Sequence, residues 1–112
     1  MMPISLSRRL SAVVVVLLFV AGTARAAAPQ PVTIRIDNFT FTPAELSVPA
    51  GTTVTWVNGD DIPHTVVAVD KSFRSKALDT GDSYSQTLST PGTFAYFCGL
   101  HPHMTGRIIV TP

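Results

Sequence analysis

The chain has 112 residues, of which 46% are hydrophobic and 13% charged, and its formal net charge at pH 7 is +1. This length provides for one small domain with a modest core and excludes a large multidomain enzyme. The balanced charge argues against nucleic acid as a partner, because nucleic-acid binding calls for a basic patch.

The first residues predict a cleaved secretory signal peptide, residues 1–26. Arg8 and Arg9 precede an unbroken apolar run at 12–21, and an A-x-A site ends at Ala26. A retained membrane anchor is the alternative, but about ten apolar residues are too few for a span, which needs roughly 20. Three of the eight basic residues leave with the signal, so the mature chain is slightly acidic. We expect a periplasmic protein with no membrane span in its mature form.

After a short flexible lead-in at 27–31, apolar and polar residues alternate through a single domain at 32–112. Turn signals such as "PAG", "TGD" and "TPGT" divide this domain into short segments. Only 72–78 is open to a helical interpretation. The predicted strands are 32–37, 46–48, 52–58, 64–69, 83–88, 93–98 and 106–111. This pattern predicts an all-β fold, an antiparallel β-sandwich with Greek-key connections.

The only cysteine, Cys98, is unexpected in an exported protein. It cannot form an internal disulfide, and a free thiol outside the cytoplasm is open to oxidation. It is either a buried, inert residue that packs as a small hydrophobe, or a thiolate held by a metal. Cys98, His101 and Met104 recur every three residues in the predicted loop 99–105. Such a loop can point three side chains at one centre.

His64, at the start of a predicted strand, can lie at the same pole of the sandwich and supply a fourth ligand. Thiolate and thioether ligands suit Cu(I), and imidazole also suits Cu(II). A thioether is a poor zinc ligand, and iron–sulfur clusters need more cysteines. Two His and one Cys with a weak axial Met is the blue-copper electron-transfer arrangement. The sequence therefore predicts one copper ion bound by His64, Cys98, His101 and Met104.

Three segments, "FTPAELSVPAGTTV", "VTWVNGDDIPHTVV" and "YFCGLHPHMTGRIIV", resemble the cupredoxin family of type 1 blue copper proteins. The resemblance is greatest to the amicyanin and plastocyanin-like branch and covers about 32–111. It implies a Greek-key β-sandwich of about eight strands with copper at one pole. It also implies the same four ligands, and the two-residue gaps in the 98–104 loop are the short, amicyanin-type spacing.

Three positions depart from the family pattern. Gly99 follows Cys98 where Ser or Thr is frequent, which removes one side-chain hydrogen bond from the loop. Thr65 stands where many members have an Asn whose side chain ties the two ligand-bearing segments together. His103 stands where amicyanins commonly carry an apolar or aromatic residue, and we interpret it as facing solvent or a partner. Around His101, a small apolar docking patch is expected from Ile62, Pro63, Leu100 and Pro102.

These features predict a one-electron shuttle rather than an enzyme. No substrate-binding motif or general acid/base pair is evident, and Asp60 and Asp61 are interpreted as a polar turn before His64. A periplasmic copper carrier or resistance protein is the alternative, and a metal-free structural domain is a third. We expect a monomer that contacts redox proteins transiently. The amicyanin resemblance suggests a c-type cytochrome or a dehydrogenase as partners.

Overall fold

The computed structural model describes residues 2–3, 12–17 and 28–112. The A-x-A site at 24–26 and most of the signal peptide lie outside these residues, so the boundaries at 26 and 31 stay predictions. Within the described ranges, no helix has the length and apolar character needed to cross a membrane.

Eight strands form two four-stranded sheets, one in the order β2-β1-β4-β6 and the other in the order β3-β8-β7-β5. The strands are β1 (Val32–Asp37), β2 (Thr40–Thr42), β3 (Glu45–Pro49), β4 (Thr52–Asn58), β5 (Val67–Ala68), β6 (Ser83–Leu88), β7 (Gly92–Cys98) and β8 (His101–Thr111). The predicted all-β Greek-key sandwich of about eight strands is confirmed.

The sheets are mixed, not antiparallel throughout as the sequence predicted. β1 pairs in parallel with β4, and β3 pairs in parallel with β8. The chain reverses direction after β1 and again after β3, so β4 runs along β1 in the same direction. Alternation of apolar and polar residues is the same in parallel and antiparallel strands, and it therefore could not reveal this pairing.

The core lies between the sheets and follows the alternation of the strands. In β4, every second residue from Thr52 to Asn58 is buried, and Trp56 is fully buried. The Trp56 ring packs edge-on against the Tyr96 ring of β7, with centroids 5.4 Å apart. Tyr96 in turn lies opposite Gly106 of β8. Because β4 and β7 belong to different sheets, this aromatic contact joins the two sheets across the core.

The local structure differs from the sequence-based expectation at four places. The predicted strand 64–69 is reduced to Val67–Ala68, and the segment 72–78 is extended rather than helical, with bridges from His64 to Leu78 and from Val67 to Arg74. β2 was missed. The predicted loop 99–105 is a short turn followed at once by β8, because His101 pairs with Cys98 and Thr105 pairs with Phe97. The residues between His101 and Thr105 bulge from the ladder.

Candidate metal centre

Three side chains that the sequence predicted as ligands meet at one pole of the sandwich. Cys98 ends β7 and His101 begins β8, so the short turn between these strands brings the two residues together. His64 comes from the connection between β4 and β5. Its backbone N–H and C=O pair with Leu78, at 3.1 and 2.7 Å. Each residue is therefore held by backbone hydrogen bonds of its own strand or bridge.

The ring nitrogens of both histidines face the sulfur. The distance from Cys98 Sγ to His64 Nδ1 is 3.6 Å, and that to His101 Nδ1 is 3.7 Å. Ligand atoms of the three residues all lie within 4.8 Å of one another. His64 and Cys98 are completely buried, whereas His101 is half-buried. The group thus has two shielded members and one that reaches the surface.

Met104 lies in the bulged part of β8, and its side chain is 5% exposed. It belongs to the same buried cluster as Cys98. A buried thioether at this end of the sandwich is compatible with the predicted weak axial ligand. Its role as the fourth ligand stays a prediction.

Thr65 connects the two ligand-bearing segments. Its backbone N–H donates to Cys98 Sγ at 3.3 Å, and its hydroxyl accepts a hydrogen bond from the Gly99 N–H at 2.7 Å. The shorter Thr side chain therefore makes the link that the family resemblance attributes to Asn. The Thr65 N–H also directs a hydrogen-bond donor at the Cys98 sulfur, which ties the His64–Thr65 segment to the end of β7.

Replacing Thr65 by Val keeps the shape of the side chain and removes the acceptor for the Gly99 N–H. We expect the free energy of unfolding to fall by about 1 kcal/mol and amide hydrogen exchange at Gly99 to accelerate. Urea denaturation and exchange NMR measure both. The control Thr53→Val removes an exposed hydroxyl pair with Thr87 and should leave exchange at Gly99 unchanged. Unchanged exchange at Gly99 in Thr65→Val would contradict the proposed link.

Asp60, which the sequence analysis assigned to a polar turn, contacts the far side of the His64 ring. Its Oδ2 lies 2.7 Å from His64 Nε2. The same carboxylate accepts backbone hydrogen bonds from Asn38 at 2.6 Å and Phe39 at 3.0 Å. The Phe39 N–H above all, with further hydrogen bonds from His64 and Asn38, holds the pKa of Asp60 below its usual value. Sequence reasoning missed the contact with His64, four residues later, because the backbone groups that hold Asp60 in place lie in a turn more than twenty residues earlier.

Phe39 was also missed. It occupies the turn between β1 and β2 with a left-handed backbone, φ 57°. Its ring packs edge-on against both His64 and His101, with centroid separations of 5.6 and 5.1 Å. Although it touches both imidazoles, the side chain is 52% exposed. The only signal in the sequence was an aromatic residue beside Asn in a turn, which is weak.

The predicted docking residues are found at the same pole. Leu100 is 53% exposed, and Pro63, Pro102 and His103 are also exposed. His103 is absent from the group of potential ligand atoms formed by the other two histidines and Cys98. Its predicted place at the surface agrees with its exposure, while the roles of these four residues stay predictions.

The donor set fits copper. The sulfur–nitrogen distances of 3.6 and 3.7 Å would allow one ion to contact all three donor atoms. Two imidazoles with one thiolate and a nearby thioether is the ligand combination of blue-copper sites.

Comparison with known proteins supports this interpretation. A family model described as a cupredoxin-like domain matches residues 10–110. Amicyanin from Paracoccus versutus is 33% identical over 84 residues, which is 70% of this chain and 64% of the relative. This chain thus spans a little under two thirds of that relative. Plastocyanin from Scenedesmus fuscus is 38% identical over 83 residues, covering 62% of this chain and 85% of the relative.

Among solved structures, a purple cupredoxin from Nitrosopumilus maritimus superimposes with a TM-score of 0.69 and 32% identity. The superposition covers 71% of this chain and 99% of that one. The fold, the His–Cys–His cluster and the sequence therefore agree, and the protein belongs to the cupredoxin-like domain family.

Proposed function

We propose that this protein is an exported one-electron carrier that binds a single copper ion through His64, Cys98, His101 and Met104. The observation that carries the proposal is the buried Cys98 sulfur with the Nδ1 atoms of two histidines 3.6 and 3.7 Å away. When bound, copper supplies a Cu(I)/Cu(II) couple at this position. The names of its relatives, amicyanin and plastocyanin, support the same function.

The protein's contribution to electron transfer is a site that changes little between oxidation states. His64 is held by its backbone bridge to Leu78 and by Asp60, and Cys98 receives the Thr65 N–H. Because these bonds connect separate segments, the ligand atoms are prevented from moving far. A rigid site of this kind suits an electron carrier better than a copper carrier, which must exchange its ligands.

His101 is the proposed exit for the electron, because it is the most exposed of the three clustered ligands. Leu100, Pro63 and Pro102 surround it with exposed apolar surface, which suits a transient redox partner. Interfaces of such partners are small, below about 1,200 Å². We propose a c-type cytochrome or a dehydrogenase as partner, a periplasmic location, a monomeric state and no enzymatic activity of its own.

The test is spectroscopic and electrochemical. Wild-type protein titrated with Cu(II) should develop an intense visible absorption band from the Cys98 thiolate bond, with an endpoint of one copper per chain. Voltammetry should then show a reversible one-electron wave. A colourless complex that binds only Cu(I) would overturn the proposal in favour of the copper carrier, and failure to bind copper would favour the structural domain.

Copper should also stabilise the fold. The proposed ligands come from segments separated by 34 residues, which a bound ion would join. Binding to the native state alone adds about 4 kcal/mol to the free energy of unfolding when free copper is about 1,000 times its Kd. Calorimetry of metal-free and copper-loaded protein should show a clear rise in melting temperature that chelation reverses. Equal melting temperatures would contradict a site made from both segments.

A further inference from the structure

The Asp60 carboxylate joins His64, a proposed metal ligand, to the turn between β1 and β2. We propose that Asp60 is a positioning residue of the metal centre: it fixes His64 in the tautomer that presents a free Nδ1, and its charge lowers the reduction potential. The tautomer depends on the chain alone, whereas the effect on the potential rests on the proposed copper function.

The two nitrogens of His64 have different neighbours. Nε2 lies 2.7 Å from Asp60 Oδ2, and Nδ1 lies 3.6 Å from Cys98 Sγ. An ionised carboxylate can only accept hydrogen bonds, so Nε2 must carry the proton of the neutral ring. The lone pair is then on Nδ1, where a metal ligand needs it. Because the His64 side chain is fully buried and that of Asp60 is only 11% exposed, water competes little for this bond.

Asp60 is itself held in place. Its carboxylate accepts the N–H groups of Asn38 and Phe39, its backbone N–H donates to Asn58 Oδ1 at 2.9 Å, and its carbonyl accepts the Thr80 hydroxyl at 2.6 Å. The Asn58 side chain donates in turn to two backbone carbonyls. This network leaves the carboxylate one position, the one that contacts His64.

The sign of the effect on the potential follows from charge. A carboxylate bonded to the far side of a ligating imidazole makes that ligand more basic and adds negative charge near the metal. Both effects favour Cu(II) over Cu(I), so they lower the reduction potential. Neutralising Asp60 should therefore raise it.

A purely structural role, in which Asp60 only anchors the turn between β1 and β2, makes a different prediction. An anchor would affect the free energy of unfolding, but it would select no tautomer of His64 and would not shift the potential. Asp61 provides a matched control because it is the adjacent carboxylate and is exposed. Asp61→Asn makes the same change in net charge one residue away.

The first experiment uses metal-free wild-type protein. Nitrogen NMR of the neutral His64 ring should show the proton on Nε2, with slow exchange against solvent. A proton on Nδ1 would overturn the proposal. This result is independent of copper, so the proposal remains testable even if the Asp60 variant does not fold.

The second experiment compares copper-loaded wild type, Asp60→Asn and Asp61→Asn by voltammetry. Loss of such a partner typically costs about 10- to 100-fold in metal affinity. If the affinity for Cu(II) alone falls about tenfold, the reduction potential of Asp60→Asn rises by about 59 mV. Asp61→Asn should show little change. Equal potentials for Asp60→Asn and wild type, or equal shifts in the two variants, would overturn the proposal. Failure of the proposed function would appear separately, as the absence of a visible band in wild type.

Discussion

Replacement of Cys98 by Ser will abolish the intense visible absorption of the copper-loaded protein. Among the four proposed ligands, only Cys98 supplies a thiolate, and the band arises from charge transfer between that sulfur and copper. A serine hydroxyl is a hard donor with no comparable transition, and it binds Cu(I) poorly. We therefore expect loss of the colour and a much lower copper affinity.

The measurement is the visible spectrum of the copper-titrated variant, with circular dichroism to verify the fold. Cys98 is completely buried, so burying a hydroxyl in its place should cost about 1–3 kcal/mol of stability. The matched control is Met104→Leu, which removes the proposed thioether ligand but keeps the thiolate, so the band should persist. Persistence of the band in Cys98→Ser would show that the site has been wrongly assigned.

Replacement of Gly106 by Ala will strongly destabilise the fold without touching a ligand. A Cβ atom at this position would clash with both Cζ and Oη of Tyr96, across the β7–β8 pair. The Tyr96 ring cannot retreat, because it packs against Phe41 and Trp56 at centroid distances of 4.7 and 5.4 Å. Burial is deep enough to raise the pKa of the Tyr96 hydroxyl to about 12.

Overpacking of a core typically costs about 1–3 kcal/mol, occasionally more, and we expect about 3 kcal/mol here. For a domain of this size each kcal/mol lowers the melting temperature by about 4–8 °C. Thermal unfolding of metal-free protein measures the loss. Gly81→Ala is the control: its Cβ meets nothing within 4 Å, and only its φ of +85° opposes the change, at about 1–2 kcal/mol.

A double variant tests whether the steric clash with the Tyr96 ring causes the loss of stability in Gly106→Ala. Tyr96→Leu removes the ring atoms that the new methyl group would meet, so Gly106→Ala should cost much less in that background. Additive losses in the double variant would show that the Tyr96 ring is not responsible. The expected coupling also explains why a glycine occupies a strand here, a position where its flexibility is otherwise unfavourable.

The sequence alone predicted much of the ligand cluster. Cys98 and His101 are three residues apart, and the metal preference of a side chain is a property of its residue type. The spacing of these residues and the soft character of the sulfur donors were therefore sufficient to predict copper. His64 was predicted from its place beside a strand end, and the structure places it 3.6 Å from Cys98. The all-β class followed from alternation, because a strand buries every second side chain whatever its partner.

Only the tertiary structure determined how the strands pair and which distant segments meet, because alternation and residue spacing carry no information on either. The parallel pairing of β1 with β4 depends on the path of the chain through the other sheet, and the early start of β8 depends on pairing with Cys98. In the amino-acid sequence, Asp60 and Phe39 are indistinguishable from ordinary turn residues. Folding brings the Asn38–Phe39 turn against the loop that carries both Asp60 and His64, so that Phe39 packs on His64 and the turn holds the Asp60 carboxylate. Contacts over such sequence separations arise from packing rather than from local pattern.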